Sequence, residues 1–134
     1  MDIEEILQLR DEISNQHKDL FPLATEQGQY NHLVSEYKEM QEAYREYAIT
    51  KDEWDYNHYV EEASDVFIVL CGIHRFNPII AELLWNGFKP LIESIYYKTF
   101  MKSVHRKWNK NMRRVWKYMG NGDYKGNKLE EDKK

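Results

Sequence analysis

Four acidic residues form two pairs with the same spacing. Glu36 and Glu39 are three residues apart, and so are Glu62 and Asp65. If both segments are helical, each pair presents its carboxylates about one turn apart on one face of its helix. Twenty-two residues separate the pairs, which is enough to end one helix, turn, and return antiparallel beside it.

Both pairs border apolar faces. In the first segment a stripe is formed by Leu33, Tyr37, Met40, Tyr44 and Tyr47. Glu36 lies at the edge of that stripe and Glu39 about 60° beyond it. In the second segment Glu62 projects on the same side as Val66, Val69 and Ile73. Carboxylates turned toward a helical interior need a shifted pKa, a cationic partner or a metal ion, because burying an uncompensated charge is costly.

A divalent cation is the predicted compensation for these acids. No Lys or Arg occurs between Glu62 and Arg75, and carboxylate oxygens are the ligands that Mg²⁺ and Mn²⁺ prefer. The predicted metal ligands are Glu36, Glu39, Glu62 and Asp65. The alternative is that the acids lie on solvated helix faces, paired with Lys38 and Arg45.

A second set of residues, near the end of the chain, carries the opposite charge. On a helix, an arc of about 100° collects the following basic and hydrogen-bonding residues: Ser103, Lys107, Lys110, Asn111 and Arg114. Lysine holds phosphate as a point charge and arginine as a bidentate fork. Metal-bound carboxylates facing such a clamp would suit phosphoryl transfer. The alternative is a solvated basic face.

Other chemistries find less support. The five histidines include no Glu-x-x-His, the ligand motif of di-iron carboxylate bundles. The sequence has no glycine-rich phosphate loop and no specific Ser/His/Asp arrangement. The single cysteine, Cys71, lies in the most apolar run of the chain. A disulfide within the chain is therefore excluded, and Cys71 is expected to be a small buried residue.

Helical periodicity accounts for most of the chain. Hydrophobic spacing and proline or capping signals predict helices at about 2–17, 27–48, 55–74 and 78–85, and a long helix from 89 to 119. No segment shows sustained period-two alternation. The sequence predicts one all-α domain over residues 1–119, arranged as a bundle of four main helices. The charged, glycine-containing residues 120–134 are expected to form a mobile tail.

Composition limits the partners. The 134 residues are 42% apolar and carry a net charge of −4, which argues for one folded domain and against a general nucleic-acid binder. No apolar run approaches the ~20 residues of a membrane span. The acidic start of the chain does not resemble a signal peptide. We expect a cytoplasmic protein without nucleic-acid or membrane partners.

The motifs together resemble the all-α nucleoside triphosphate pyrophosphohydrolase superfamily, in its MazG-like branch. The resemblance is carried by Glu-x-x-Glu at 36–39, Glu-x-x-Asp at 62–65, and Lys-Asn-x-x-Arg at 110–114. It covers roughly residues 30 to 115. One position departs from the family pattern, because Ser35 stands where a leading glutamate is frequent.

The resemblance implies a MazG-type, four-helix-bundle-like fold that assembles as a dimer or a dimer of dimers. It also implies Mg²⁺-dependent hydrolysis of a (deoxy)nucleoside triphosphate between the α and β phosphates, with Mn²⁺ as a possible substitute. The four acids would hold the metal, and Glu39 or Glu36 would act as the catalytic base. The residues that would bind substrate are Lys107, Lys110, Asn111 and Arg114.

A non-enzymatic interpretation stays open beside the hydrolase. The same helices could form a nucleotide-sensing or protein-binding module that retains the acidic motif without turnover. Ser35 and the charged C-terminal segment are the features that favour it. The two hypotheses differ in whether product is released.

Overall fold

The helices begin at residues whose side chains cap free backbone N–H groups. Asp2, Thr25, Asp52 and Asn77 each accept a hydrogen bond from the amide three residues later. Such caps satisfy donors that have no partner inside the helix. The computed structural model describes residues 2–132. Its helices are α1 (Ile3–Leu20), α2 (Glu26–Thr50), α3 (Glu53–Phe76), α4 (Pro78–Phe88) and α5 (Tyr97–Arg113).

Helix α3 is the centre of the molecule. Residues 66–73 are all buried, and α1, α2, α4 and α5 each pack against this helix. Residues 66–73, which are apolar on almost every side of the helix, are therefore surrounded by the other four helices, as expected for a central helix. The prediction of a mostly helical chain is confirmed. Among residues 2–132, no helix has the length and apolar character needed to cross a lipid bilayer.

The long C-terminal helix was predicted wrongly. Residues Lys89–Ile92 form a short 3₁₀ helix, α5 begins only at Tyr97, and it ends at Arg113 rather than at Met119. Two antiparallel strands follow, β1 (Trp116–Tyr118) and β2 (Tyr124–Gly126), with Tyr118 paired to Tyr124. Gly120 and Gly122 lie in the hairpin connection, where they adopt φ values of 82° and 80°. Glycine enters this left-handed region without steric cost.

The segment after residue 119 is not a tail without packing contacts. The ring of Phe21, at the end of α1, lies 4.8 Å from that of Trp116 and 5.2 Å from that of Tyr124. The Thr25 amide donates to the Gly122 carbonyl at 3.1 Å. The prediction of a mobile tail is therefore wrong for residues 120–132, which lie against the α1–α2 connection and α5. Lys133 and Lys134 lie outside the described residues.

Two buried polar residues, His17 of α1 and Gln29 of α2, pack against α3. Burial and the nearby charge of Arg75 lower the pKa of His17 to about 4, so the imidazole is neutral at physiological pH. Its Nδ1 lies 3.1 Å from Arg75 Nη1, which can only donate. Gln29 and His17 both press against Gly72 of α3, where a Cβ would lie 2.9 Å from His17 Nε2 and closer still to Gln29 Oε1.

Gly72→Ala is expected to destabilise the protein by about 1–3 kcal/mol, because the added methyl must displace the buried side chains of His17 and Gln29. Gly87→Ala is the matched control, since a Cβ there meets nothing within 4 Å and alanine is favoured in a helix by about 0.5–1 kcal/mol. Urea denaturation of both variants measures the difference. Equal effects on the two midpoints would contradict close packing at Gly72.

Candidate acidic site between helices α2, α3 and α5

Three of the four predicted metal ligands come together. The turn between α2 and α3 contains Lys51 in the left-handed conformation, with φ 54°, followed by the Asp52 cap. It returns α3 beside α2, so that Glu36 faces Glu62 and Asp65. One carboxylate oxygen of each residue lies within 4.8 Å of the other two. We call these three residues the acidic cluster.

Glu39 lies at the solvent edge of this cluster. Its side chain is exposed, and it does not belong to the group of three whose oxygens converge. It is nevertheless close enough that burial, together with the charge of Glu36, raises the pKa of Glu39, while a hydrogen bond with Glu62 opposes the shift. Glu39 therefore faces both the cluster and solvent.

Two carboxylate oxygens in the cluster lack partners. Oε2 of Glu36 and Oε2 of Glu62 are buried and accept no hydrogen bond from any residue in 2–132. Their other oxygens face histidines one turn earlier: His32 Nε2 lies 3.2 Å from Glu36 Oε1 and His58 Nε2 lies 3.5 Å from Glu62 Oε1. Buried polar atoms are rarely left unsatisfied. The residues present fit a divalent cation, which would satisfy both oxygens with the hard ligands it prefers.

The electrostatics of the cluster agree with this fit. Burial, together with the charges of Asp65, Glu39 and Glu36, raises the pKa of Glu62 to about 8. Burial also raises the pKa of Asp65 to about 6, although Lys107 opposes the shift. Without a cation the cluster therefore holds protons near neutral pH, because its acids cannot all ionise together.

A cleft of about 340 Å³ joins the cluster to basic residues. Glu36 and Asp65 line it together with Lys107, Asn111 and Arg114. Lys107 Nζ lies 3.4 Å from Asp65 Oδ2. Three of the four predicted substrate-binding residues thus share a cleft with the acids. Lys110 does not line it and instead forms an ion pair with Asp132.

The sequence interpretation missed two elements of this cleft. The first is His32, whose i,i+4 spacing from Glu36 was a visible signal. Burial lowers the pKa of His32, but the hydrogen bond with Glu36 and the charge of Glu36 raise it overall. The β-hairpin supplies Trp116, Tyr124 and Lys125 as a wall. Its signal was aromatic residues on both sides of Gly-Asn-Gly.

Comparisons of the chain with protein-family models, curated proteins and solved structures find no match. The chemistry of the cleft therefore follows from its residues. An acidic cluster with unsatisfied oxygens, in a cleft that cationic side chains also line, can bind a divalent cation and an anionic ligand side by side.

Proposed function

We propose that the protein is a Mg²⁺-dependent nucleotide pyrophosphohydrolase that cleaves a (deoxy)nucleoside triphosphate between its α and β phosphates. One observation carries the proposal. Two buried, unpartnered carboxylate oxygens, on Glu36 and Glu62, lie beside Asp65 in a cluster that shares a cleft with Lys107 and Arg114. A polyphosphate with its bound cation matches both halves of that cleft.

Each acid has a role in this proposal. Glu36, Glu62 and Asp65 would hold the Mg²⁺, or Mn²⁺ in its place, with Glu39 at the open edge. When bound, the cation would neutralise phosphate oxygens and lower the pKa of a coordinated water. Glu39, which is exposed beside the cluster, is the proposed base, and Glu36 is the other candidate.

The reaction is a hydrolysis whose atoms balance without a further reactant. A water oxygen forms a bond to the α phosphorus while the bond from that phosphorus to the bridging oxygen breaks, and the water proton passes to the base. Pyrophosphate leaves with the bridging oxygen, and the monophosphate retains the sugar and base. Lys107, Lys110 and Arg114 would stabilise the charge that develops on pyrophosphate, and Asn111 would hydrogen-bond phosphate or sugar.

The proposal extends to fold and location. Both halves of the acidic motif lie on neighbouring helices, α2 and α3, and the basic motif lies on α5 and at its end, which supports a MazG-type, four-helix-bundle-like arrangement. A nucleoside triphosphate substrate is consistent with a cytoplasmic protein.

The test is to measure pyrophosphate and monophosphate release from ribo- and deoxyribonucleoside triphosphates with Mg²⁺, with Mn²⁺ and with EDTA. We expect equal amounts of both products, released only when the cation is present. Orthophosphate instead of pyrophosphate would mean that a different bond is cleaved. A folded sample that binds nucleotide without releasing product would support the alternative of a nucleotide-sensing module. The observation that favours this alternative is that Ser35 is exposed and lies outside the cluster.

We also propose that the protein is a homo-oligomer, formed through an apolar groove on the other side of α2. The groove has a volume of about 620 Å³ and lies between α2, α3 and α4. Its lining includes Val34 and Leu83, which are 71% and 63% exposed. A second copy of the chain would cover this apolar surface, since large exposed apolar patches mark interaction sites.

Light scattering after size exclusion is expected to give at least twice the 16.3 kDa of one chain, and Leu83→Glu is expected to give the monomer because it buries a charge in the interface. Ile49→Glu is the control, since Ile49 is 83% exposed but lies outside the groove. A monomer at micromolar concentration in the unmodified protein would contradict the proposal.

A further inference from the structure

The carboxylate of Asp132 is held by two cations of the proposed substrate site. Lys110 Nζ pairs with Asp132 Oδ1, and Arg114 Nη2 lies 2.9 Å from Asp132 Oδ2. All three side chains are less than one-fifth exposed, at 17%, 19% and 17% for Lys110, Arg114 and Asp132. Exposed ion pairs contribute little to stability because water screens them, but this group is largely shielded from solvent.

The surrounding segment is arranged to present that carboxylate. The Leu129 amide donates to Asp132 Oδ2 at 3.1 Å, and Arg114 Nη1 donates to the Asn127 carbonyl at 2.6 Å. The hydrogen bond from Lys110, helped by the Leu129 amide, holds the pKa of Asp132 below its usual range. Asp132 is therefore an anion at all physiological pH values, which an intramolecular ligand for cations needs to be.

Arg114 connects this contact to the acidic cluster. It lines the same cleft as Glu36 and Asp65, while its guanidinium also contacts Asp132. A carboxylate and a phosphate present similar pairs of oxygens to an arginine fork. Asp132 thus binds the cationic groups of Lys110 and Arg114, which a polyphosphate in this cleft would also need to bind.

We propose that Asp132 is an intramolecular competitor of the substrate's phosphates, and that its carboxylate binds Lys110 and Arg114 until a polyphosphate displaces it. This inference rests on the proposed function, because it takes these cations to be the phosphate clamp. A polyphosphate carries more charge than one carboxylate, so it displaces the segment once its concentration is sufficient. The segment thereby raises the substrate concentration that the protein requires.

Hydrogen exchange on the full chain, titrated with inorganic pyrophosphate and Mg²⁺, tests displacement directly. The Leu129 amide is a reporter, because its acceptor is the Asp132 carboxylate. We expect its exchange to accelerate as pyrophosphate binds, since the released segment loses that hydrogen bond. Unchanged or slower exchange of Leu129 at saturating pyrophosphate would overturn the proposal.

The matched variants are Asp132→Asn and Glu131→Gln, which remove the same charge from adjacent residues. Glu131 pairs with Arg113, at 2.6 Å and with both side chains about half exposed, and Arg113 does not line the cleft. We expect Asp132→Asn to tighten pyrophosphate binding by about five- to tenfold in calorimetry, within the usual range for coupled binding events, and Glu131→Gln to change it less than twofold.

Failure of this inference can be distinguished from failure of the hydrolase proposal, because pyrophosphate binding requires no turnover. Equal affinities in the two variants, or no pyrophosphate binding in any of them, would overturn the competitor. If Asp132→Asn hydrolyses nucleotide with an unchanged KM, the competitor proposal is wrong and the hydrolase proposal stands. If Asp132→Asn shows the expected shift in pyrophosphate affinity but no variant hydrolyses nucleotide, the hydrolase proposal is wrong and the competitor proposal stands.

Discussion

Glu62→Gln is expected to lower metal-dependent pyrophosphate release by about 100-fold or more while the helices remain folded. Even groups that only support metal ligands typically change affinity or activity by about 10- to 100-fold, and Glu62 is a proposed ligand. Its Oε2 is one of the two buried oxygens without a partner. The substitution keeps the shape of the side chain and resembles the neutral form that the raised pKa of Glu62 favours near neutral pH, so stability of the metal-free protein should not fall.

Asp65→Asn is expected to behave in the same way, and Glu61→Gln provides the control. Glu61 is adjacent on α3, but its carboxylate pairs at 2.6 Å with Arg106, and both side chains are more than two-fifths exposed. Steady-state kinetics and circular dichroism on the three variants separate catalysis from folding. Retained turnover in Glu62→Gln would show that Glu62 is not needed for catalysis, and loss of helicity would show that its carboxylate is needed for folding.

In the metal-free protein, the contribution of the acidic cluster to stability is expected to fall as the pH rises from about 4 to 8, while the lowered pKa of His17 adds a smaller change of opposite sign between about pH 4 and 6.5. The folded-state pKa of Glu62 is raised from 4.5 to about 8 and that of Asp65 from 3.8 to about 6. Between the unfolded and folded values the native state binds more protons than the unfolded chain, so the free energy of unfolding decreases with pH. The total change is on the order of a few kcal/mol.

Mg²⁺ is expected to reverse this loss at pH 8 and to have little effect at pH 5. A cation at one hundred times its dissociation constant stabilises the folded state by about 2.7 kcal/mol, which corresponds to roughly 5–10 °C in Tm for a domain of this size. At pH 5 protons occupy the acids and compete with the cation.

Calorimetric scans at both pH values, with Mg²⁺ and with EDTA, measure the effect. Glu62→Gln should flatten the pH dependence of the metal-free protein and abolish the Mg²⁺ shift. A Mg²⁺ shift of equal size at pH 5 and pH 8 would argue that the cation binds away from the acidic cluster.

The helical part of the molecule could be predicted because its signals are local. The caps at Thr25, Asp52 and Asn77 and the apolar run at 66–73 act within a few residues of themselves. The boundaries of α1 to α4 agree with the predictions to within about three residues, and the spacing of the acids placed Glu36, Glu62 and Asp65 on facing sides of α2 and α3.

Glu39 shows the limit of that reasoning. Helical geometry placed it about 60° from the edge of the apolar stripe, which is compatible with either an interior or a solvated position. The packing of α2 against α3 leaves it exposed. The rotation of one helix against another depends on all the side chains between them, and no single spacing encodes it.

Local sequence patterns determined three features: the helical structure of α1 to α4, the central position of α3, and which acids cluster. The end of the long helix, the β-hairpin and the contact of Asp132 with Lys110 and Arg114 depended on the folded chain. Residues 116–118 and 124–126 form strands, and Trp116 and Tyr124 in them pack on Phe21, about 100 positions earlier. Such contacts outweigh local propensity because burial of aromatic surface contributes more than the preference of a few residues for helix.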